Sequence, residues 1–244
     1  MTEANTNDNE ATDPAPIRVA TDIQLDHELA ALRRRLIKEA SRATDLLAQS
    51  IKILQGSSDE EVSEIREIER QIDAEEVRIE EECFRILALQ QPFGSDFRML
   101  TFCLKVNSDI ERLADHAASM AKISKKLRDA ELVWPQAMLE MMQRVPVMCE
   151  ELVRAVINAD PDAAREIVLR DKAIDKLDKQ AFRELTGIIQ EHPDEASQYM
   201  LMYRISRELE RVGDLLGNIG EDIVYLVTGD IVRHESSGKN KQSN

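Results

Sequence analysis

The sequence predicts an all-α protein built as two tandem three-helix bundles related by internal duplication. Three observations carry this. First, aromatic residues make up 4 % of the 244 residues and there are only 8 Gly and 7 Pro, a composition that disfavours sandwiches and barrels, while 32 % of residues are charged. Second, apolar residues recur at alternating spacings of three and four, the period of an amphipathic helix. Third, the pattern starts again halfway along the chain.

Residues 1–20 are polar and acidic and contain Pro14 and Pro16, so they read as a disordered arm. The first helix carries Leu25, Leu29, Leu32, Leu36, Ala40, Ala43, Leu47, Ile51 and Leu54, a stripe about 45 Å long at 1.5 Å per residue. Gly56-Ser57-Ser58-Asp59 ends it and caps the next. The second helix runs from about Glu60 to Gln90, and a turn at Gln91-Pro92-Phe93-Gly94-Ser95-Asp96 leads to a third reaching Arg128. A new stripe then begins: Trp134, Met138, Met141, Val145, Met148, Leu152 and Val156, with Pro135 near its first turn and Pro146 as an expected kink. Asp160-Pro161 caps a fifth helix that extends to Gln190. After a turn at Glu191-His192-Pro193-Asp194, a sixth runs to Thr228, where Gly229 stops it. The repeats are placed at 21–130 and 131–230, and 231–244 reads as a second disordered segment.

The formal net charge is −15. A surface of that sign repels nucleic-acid phosphates and anionic lipid. Free phosphate is an equally poor ligand for it unless a cation intervenes, and divalent or trivalent metals are its natural counter-ions. The cysteines Cys83, Cys103 and Cys149 form no C-x-x-C pair and sit within helical patterns. They read as buried free thiols in a reducing compartment. The N-terminus lacks the apolar core of a signal peptide, and no run of apolar residues is long enough to span a bilayer. The expectation is a cytoplasmic protein without direct membrane insertion. The methionines of the fourth helix (Met138, Met141, Met142, Met148) suit either the core or the face of a homodimer.

The halves align with few gaps. Ile65, Glu69, Ile72 and Asp73 match Ile167, Asp171, Ile174 and Asp175, all offset by 102, and Asp109–Asp115 matches Glu208–Asp214, offset by 99. Four segments in these stretches read acid-x-x-x-Asp: Glu69 to Asp73, Glu111 to Asp115, Asp171 to Asp175 and Glu210 to Asp214. On a helix that spacing stacks two carboxylates on one face, where like charges destabilise unless a cation lies between them. A single such pair is an ordinary solvated face in so acidic a chain. Recurrence sets these apart, because most exposed charges are not repeated: Glu80, for example, is matched by Phe182.

Register adds a second reason. The seam of the second helix reads Val62, Ile65, Glu69, Ile72, Glu76, Ile79, Cys83, Ile86. That of the fifth reads Ala164, Ile167, Asp171, Ile174, Asp178, Ala181, Leu185, Ile188. Glu69, Glu76, Asp171 and Asp178 therefore stand where apolar residues belong, and a carboxylate in a seam must be paired, protonated or metal-bound. Ala114 and Ala118, and Gly213 and Gly217, lie beside the acids of the third and sixth helices and let a partner helix approach, whether for packing alone or to leave room for an ion. Two readings stay open. Oxygen-rich sites suit Mg²⁺, Mn²⁺, Ca²⁺ or ferric iron, with zinc also possible; alternatively Arg112 and Arg211 are buried counter-charges in a metal-free scaffold. His116, next to Asp115, is a lesser candidate ligand, since Leu215 stands at its counterpart. No Glu-x-x-His, phosphate-cradling glycine loop, G-x-S-x-G or Cys/His pairing accompanies the acids, so the chain does not read as an enzyme.

Glu210-Arg211-Val212-Gly213-Asp214 and Glu111-Arg112-Leu113-Ala114-Asp115 resemble the duplicated E-R-I-G-D signature of the PhoU family, and Gln91-Pro92-Phe93-Gly94-Ser95-Asp96-Phe97-Arg98 resembles its Q-P-x-x-x-D-L-R turn. Asp171–Asp175 also fits. The resemblance spans residues 23 to 230. It implies two three-helix bundles carrying iron or zinc clusters on the acid-x-x-x-Asp motifs. It also implies a negative regulator acting on a phosphate ABC transporter and its sensor histidine kinase. The ligands it implies are Glu69, Asp73, Glu111, Asp115, Asp171, Asp175, Glu210 and Asp214, with Asn218 as an assistant. The sequence departs from the pattern at Ala114, in place of the signature glycine, and at Ser119, where the second repeat has Asn218. Those departures imply a weaker or less occupied first site. The acidic arm has no counterpart in the resemblance.

Overall fold

The structure is a computed structural model that describes residues 15–56, 58–128 and 131–231, with side chains from Ile23 onward except that of Gln55. Among these residues there are six α-helices and no strand: α1 (Ala15–Lys52), α2 (Asp59–Gln90), α3 (Ser95–Leu127), α4 (Gln136–Asn158), α5 (Pro161–Glu191) and α6 (Ala196–Thr228). Helix α1 reaches back to Ala15, so it occupies the end of the segment read as an arm. Pro16 falls in its first turn, where a fixed φ fits and the missing N–H is not needed. The remainder of that arm, 1–14, and the segment 232–244 lie outside the described residues.

The caps follow the local chemistry. Ser58 accepts from the Glu61 amide while the Glu61 side chain accepts from the Ser58 amide, a complete capping box at the start of α2. Asp160 accepts from the amides of Asp162 and Ala163, with Pro161 in the first turn of α5. Gly229 closes α6 with φ +79, a left-handed conformation that glycine adopts without a steric penalty. Helix α4 continues through Pro146.

The two repeats are not separate globules. One hydrophobic cluster runs through both, because α3 packs on α6 and α1 packs on α4 in addition to the contacts inside each bundle. Helices α3 and α6 consequently bury more than one face; on α6 these include Tyr199, Met202, Ile205, Leu209, Val212, Leu216 and Ile223. Polar ties fix the register between halves. The Arg33 guanidinium donates to the carbonyls of Val156 and Ile157 at the C-terminus of α4, at 2.7 and 3.0 Å, where the helix dipole favours a cation. Lys105 Nζ lies 3.0 Å from Asp222 Oδ1. The methionines Met138, Met141, Met142 and Met148 are all buried within the chain's own core, so that face is not available to a second copy. Cys83, Cys103 and Cys149 are free and buried, and burial pushes the Cys83 thiol up to about 12.

Among the glycines, Gly220 leaves the least room for a side chain. A Cβ there would stand 2.9 Å from Val168 Cγ2 and 3.1 Å from the Ala164 carbonyl oxygen, which the α5 backbone holds in place. At Gly217 the added atom would meet only ordinary contacts with Asp171, at 3.5 Å and beyond. Gly220→Ala is therefore expected to cost about 1–3 kcal/mol through overpacking, and Gly217→Ala well under that. Chemical denaturation of the two variants side by side checks the difference.

Candidate metal centre

Glu69 and Asp73 stand one turn apart on the face of α2 that meets α3, and α3 places Asp115 against them. One carboxylate oxygen from each lies within 4.8 Å of the other two. Asp171 and Asp175 on α5 meet Asp214 on α6 in the same way. The two triads are repeat equivalents, so the duplication in sequence is a duplication of this geometry. In each, two acids are half-buried and the one from the third helix of its repeat is exposed.

Asp73 Oδ1, Asp171 Oδ1 and Glu210 Oε2 are buried and have no hydrogen-bond partner. Leaving a charged acceptor buried and unsatisfied is costly. The titration behaviour agrees. Burial, followed by the neighbouring charges of Asp214, Asp175 and Glu210, pushes the Asp171 carboxyl up to about 6. Burial, then Asp115, Glu76 and Asp73, pushes Glu111 up to about 7. Glu69 and Asp73 are raised by burial and by Asp115, Glu69 also by Asp73, and Asp214 by burial and Asp175. Acceptor-only groups with orphaned oxygens and mutual repulsion form a donor set that fits a hard cation.

The remaining predicted residues divide. Glu111 and Glu210 lie one turn before Asp115 and Asp214, outside the closest triads but near enough to act on them electrostatically. Glu76 is half-buried and raises Glu111. Asp178 is buried but already bonded: Ser206 Oγ donates to it at 2.8 Å and Arg207 at 3.0 Å. Asn218 is exposed, one turn beyond Asp214 and outside the triad. Gly213 brings α6 close to α5, since a Cβ there would stand 3.2 Å from Ile174 Cγ2 and 3.3 Å from Asp171 Oδ1. Gly217 carries no such constraint.

The reading of Arg112 and Arg211 as buried counter-charges is corrected by their placement. Both are exposed, and they face Asp109 at 3.9 Å and Glu208 at 3.6 Å on their own helices. Each follows its signature glutamate by one residue, which turns it about 100° away from the site. The arginine that does reach the seam is Arg207, which spans Asp178 Oδ2 at 3.0 Å and Glu210 Oε1 at 2.9 Å. Its position three residues before Glu210 was the available signal. His116 is not at the triad; its Nδ1 lies 2.7 Å from Glu208 Oε2, and Ser119 Oγ donates to Glu208 Oε1 at 3.0 Å, a tie between α3 and α6 that sequence reasoning missed.

Raised carboxyls bind protons more tightly in the folded chain than in the unfolded one. Their contribution to stability is therefore largest when protonated and falls as pH rises from the ordinary carboxyl range through about 6 and 7. Metal-free protein is expected to melt higher at pH 5.5 than at pH 7.5. Metal-loaded protein is expected to show the opposite trend, because binding requires the ionised acids. Thermal melts with and without chelator across this range check both signs.

A duplicated three-helix unit with a carboxylate triad between the second and third helices of each copy defines a class of helical, oxygen-donor proteins. The family model described as the PhoU domain matches residues 23–124 and 138–223, one match to each repeat. The chain belongs to the PhoU family. It is 33 % identical over 214 residues to the phosphate-specific transport system accessory protein PhoU homolog of Pseudomonas aeruginosa, covering 86 % of this chain and 88 % of that protein. It is 31 % identical over 206 residues to the homolog of the same name from Deinococcus radiodurans, covering 84 % and 97 %. The crystal structure of the phosphate transport system regulatory protein PhoU from Streptococcus pneumoniae has the same fold, with a TM-score of 0.76 at 27 % identity over 85 % of this chain and 99 % of that one. That of PhoU from P. aeruginosa gives 0.70 at 31 % identity, over 87 % and 99 %.

Proposed function

We propose that the chain is a metal-holding accessory protein that restrains phosphate uptake and phosphate-responsive signalling. The observation that carries this is the pair of repeat-equivalent carboxylate triads with orphaned buried oxygens, in a chain whose relatives are named as accessory proteins of phosphate-specific transport. Glu69, Asp73 and Asp115 hold one cation or cluster, joined by Glu111 and Glu76. Asp171, Asp175 and Asp214 hold the other, joined by Glu210. Iron or zinc is favoured by the family; manganese or magnesium also suits an all-oxygen set. A bound cation supplies the positive charge that joins α2 to α3 and α5 to α6.

The partners are a phosphate ABC transporter and its sensor histidine kinase, met at the cytoplasmic side of the membrane. None of the described helices is long and apolar enough to cross a bilayer. The role is regulatory, since no nucleophile or acid–base set accompanies the carboxylates. The scaffold reading has support at one position, the buried Asp178 with Ser206 and Arg207, and not at the triads.

In the cell that makes the chain, deleting it is expected to raise phosphate-responsive gene expression in phosphate-replete medium. A variant lacking both triads should behave like the deletion. Full restraint by that variant would separate regulation from the carboxylates.

A further inference from the structure

A cleft opens beside the first triad. It has a volume of about 650 Å³ and is lined by Glu69 and Asp115 and by Arg66, Arg70 and Lys122. Arg66 and Arg70 are one turn apart on α2, and Lys122 comes from α3. By the repeat offsets their counterparts are Val168, Lys172 and Glu221. The first rim therefore carries three formal positive charges, whereas at the second Lys172 and Glu221 cancel.

Three bases gathered in one cleft are unexpected on a chain of net charge −15. Neutralising the triad does not explain them. Among the described residues, neither Arg66 nor Lys122 forms an ion pair, and Arg70 pairs directly with Glu67 on its own helix at 2.6 Å, reaching the triad only as a nearby charge that acts on Glu69. The triad for its part keeps Asp73 Oδ1 buried and unpartnered. Acids and bases line a common void without meeting across it, so a ligand of mixed demand fits: a cation on the acids, and an anion that touches both the cation and the bases. Planar guanidinium groups and an ammonium suit the oxygens of a tetrahedral oxyanion. A hard cation on three carboxylates retains coordination positions for further oxygen donors.

We propose that this cleft binds inorganic phosphate, with Arg66, Arg70 and Lys122 engaging the oxyanion and the cation at Glu69, Asp73 and Asp115 anchoring it. The inference rests on the metal-holding role proposed above. The two repeats then differ in what they hold, the first site taking a cation with the oxyanion and the second a cation alone.

Equilibrium dialysis with radiolabelled inorganic phosphate at pH 7.5, with metal content measured on every sample, tests this. Metal-loaded protein is expected to bind one phosphate per chain and chelator-treated protein none. Arg66→Ala/Arg70→Ala/Lys122→Ala should keep its metal and bind phosphate at least about tenfold more weakly, since charge-assisted hydrogen bonds are lost. Asp171→Asn/Asp214→Asn should lose metal from the second site and keep the phosphate. Unchanged phosphate binding in the triple variant that retains its metal overturns the proposal while leaving the metal role intact. Wild-type protein without metal overturns both. Rim-dependent co-sedimentation with vesicles containing phosphatidic acid, without binding of free phosphate, would assign the cleft to a lipid headgroup and overturn the free anion.

Discussion

Asp171→Asn/Asp214→Asn is expected to raise the melting temperature of the metal-free chain and lower that of the metal-loaded chain. In the absence of a cation, these two acids repel one another, and burial pushes the Asp171 carboxyl up to about 6 while its Oδ1 has no partner. Neutral amides remove the repulsion and the cost of burying charge. Discounted for solvent around the half-open site, the gain is about 1–2 kcal/mol, or about 2–8 °C for a chain of this size. With metal present the sign reverses, because the variant loses the stabilisation that comes from binding the native state alone. That stabilisation is about 2.7 kcal/mol when free metal is a hundred times its Kd. A variant that is less stable than the parent in chelator would show that the acids are satisfied by the protein itself.

Arg207→Ala is expected to destabilise the chain by about 2 kcal/mol, or about 4–8 °C. Asp178 is only 5 % exposed, and Arg207 and Ser206 are its hydrogen-bond partners across the α5–α6 seam. Removing the guanidinium leaves a buried carboxylate with a hydroxyl alone. The cost falls below the ~3–5 kcal/mol of a fully buried pair because Arg207 itself is partly open to solvent. Arg211→Ala, next to the signature glutamate but exposed, should cost about 0–1 kcal/mol. Urea denaturation of the two variants compares them directly, and equal losses would contradict the assignment of Arg207 as the counter-charge in the seam.

The helices and both triads were legible because they depend on periodicity, which sequence displays directly. Val62, Ile65 and Ile72 on α2, and Ile167 and Ile174 on α5, mark seams that the structure buries, and of the acids intruding in those seams Glu69 and Asp171 each belong to a triad, whereas Glu76 and Asp178 do not. What sequence could not show was how far the two copies share one core. That depends on which faces of α3 and α6 meet, and nothing local in Glu208 indicates that it lies opposite His116 and Ser119. The fate of the fourth-helix methionines was hidden for the same reason, since a flexible apolar side chain suits a core and an interface equally. Helical spacing places Arg207, three residues before Glu210, on the seam face, whereas Arg211 inside the motif is turned away from it.

The asymmetry between repeats also changes the expectation for the first site. Ala114 and Ser119 suggested a weaker one. Yet its neighbour Glu76 has no counterpart to the Ser206–Arg207 clamp that engages Asp178, because Asn107 and Ser108 stand at those positions and Asn107 donates to the Glu76 backbone carbonyl. Glu76 therefore adds its charge to the first cluster, where it acts on Glu111.

The most direct test of the central claim is elemental analysis of the chain purified without added metal or chelator, beside variants in which each triad, and then both, are changed to Asn. Stoichiometric metal that falls in each single-triad variant and vanishes when both are changed is the expected result. Metal-free wild-type protein, or metal content indifferent to all six carboxylates, would contradict it.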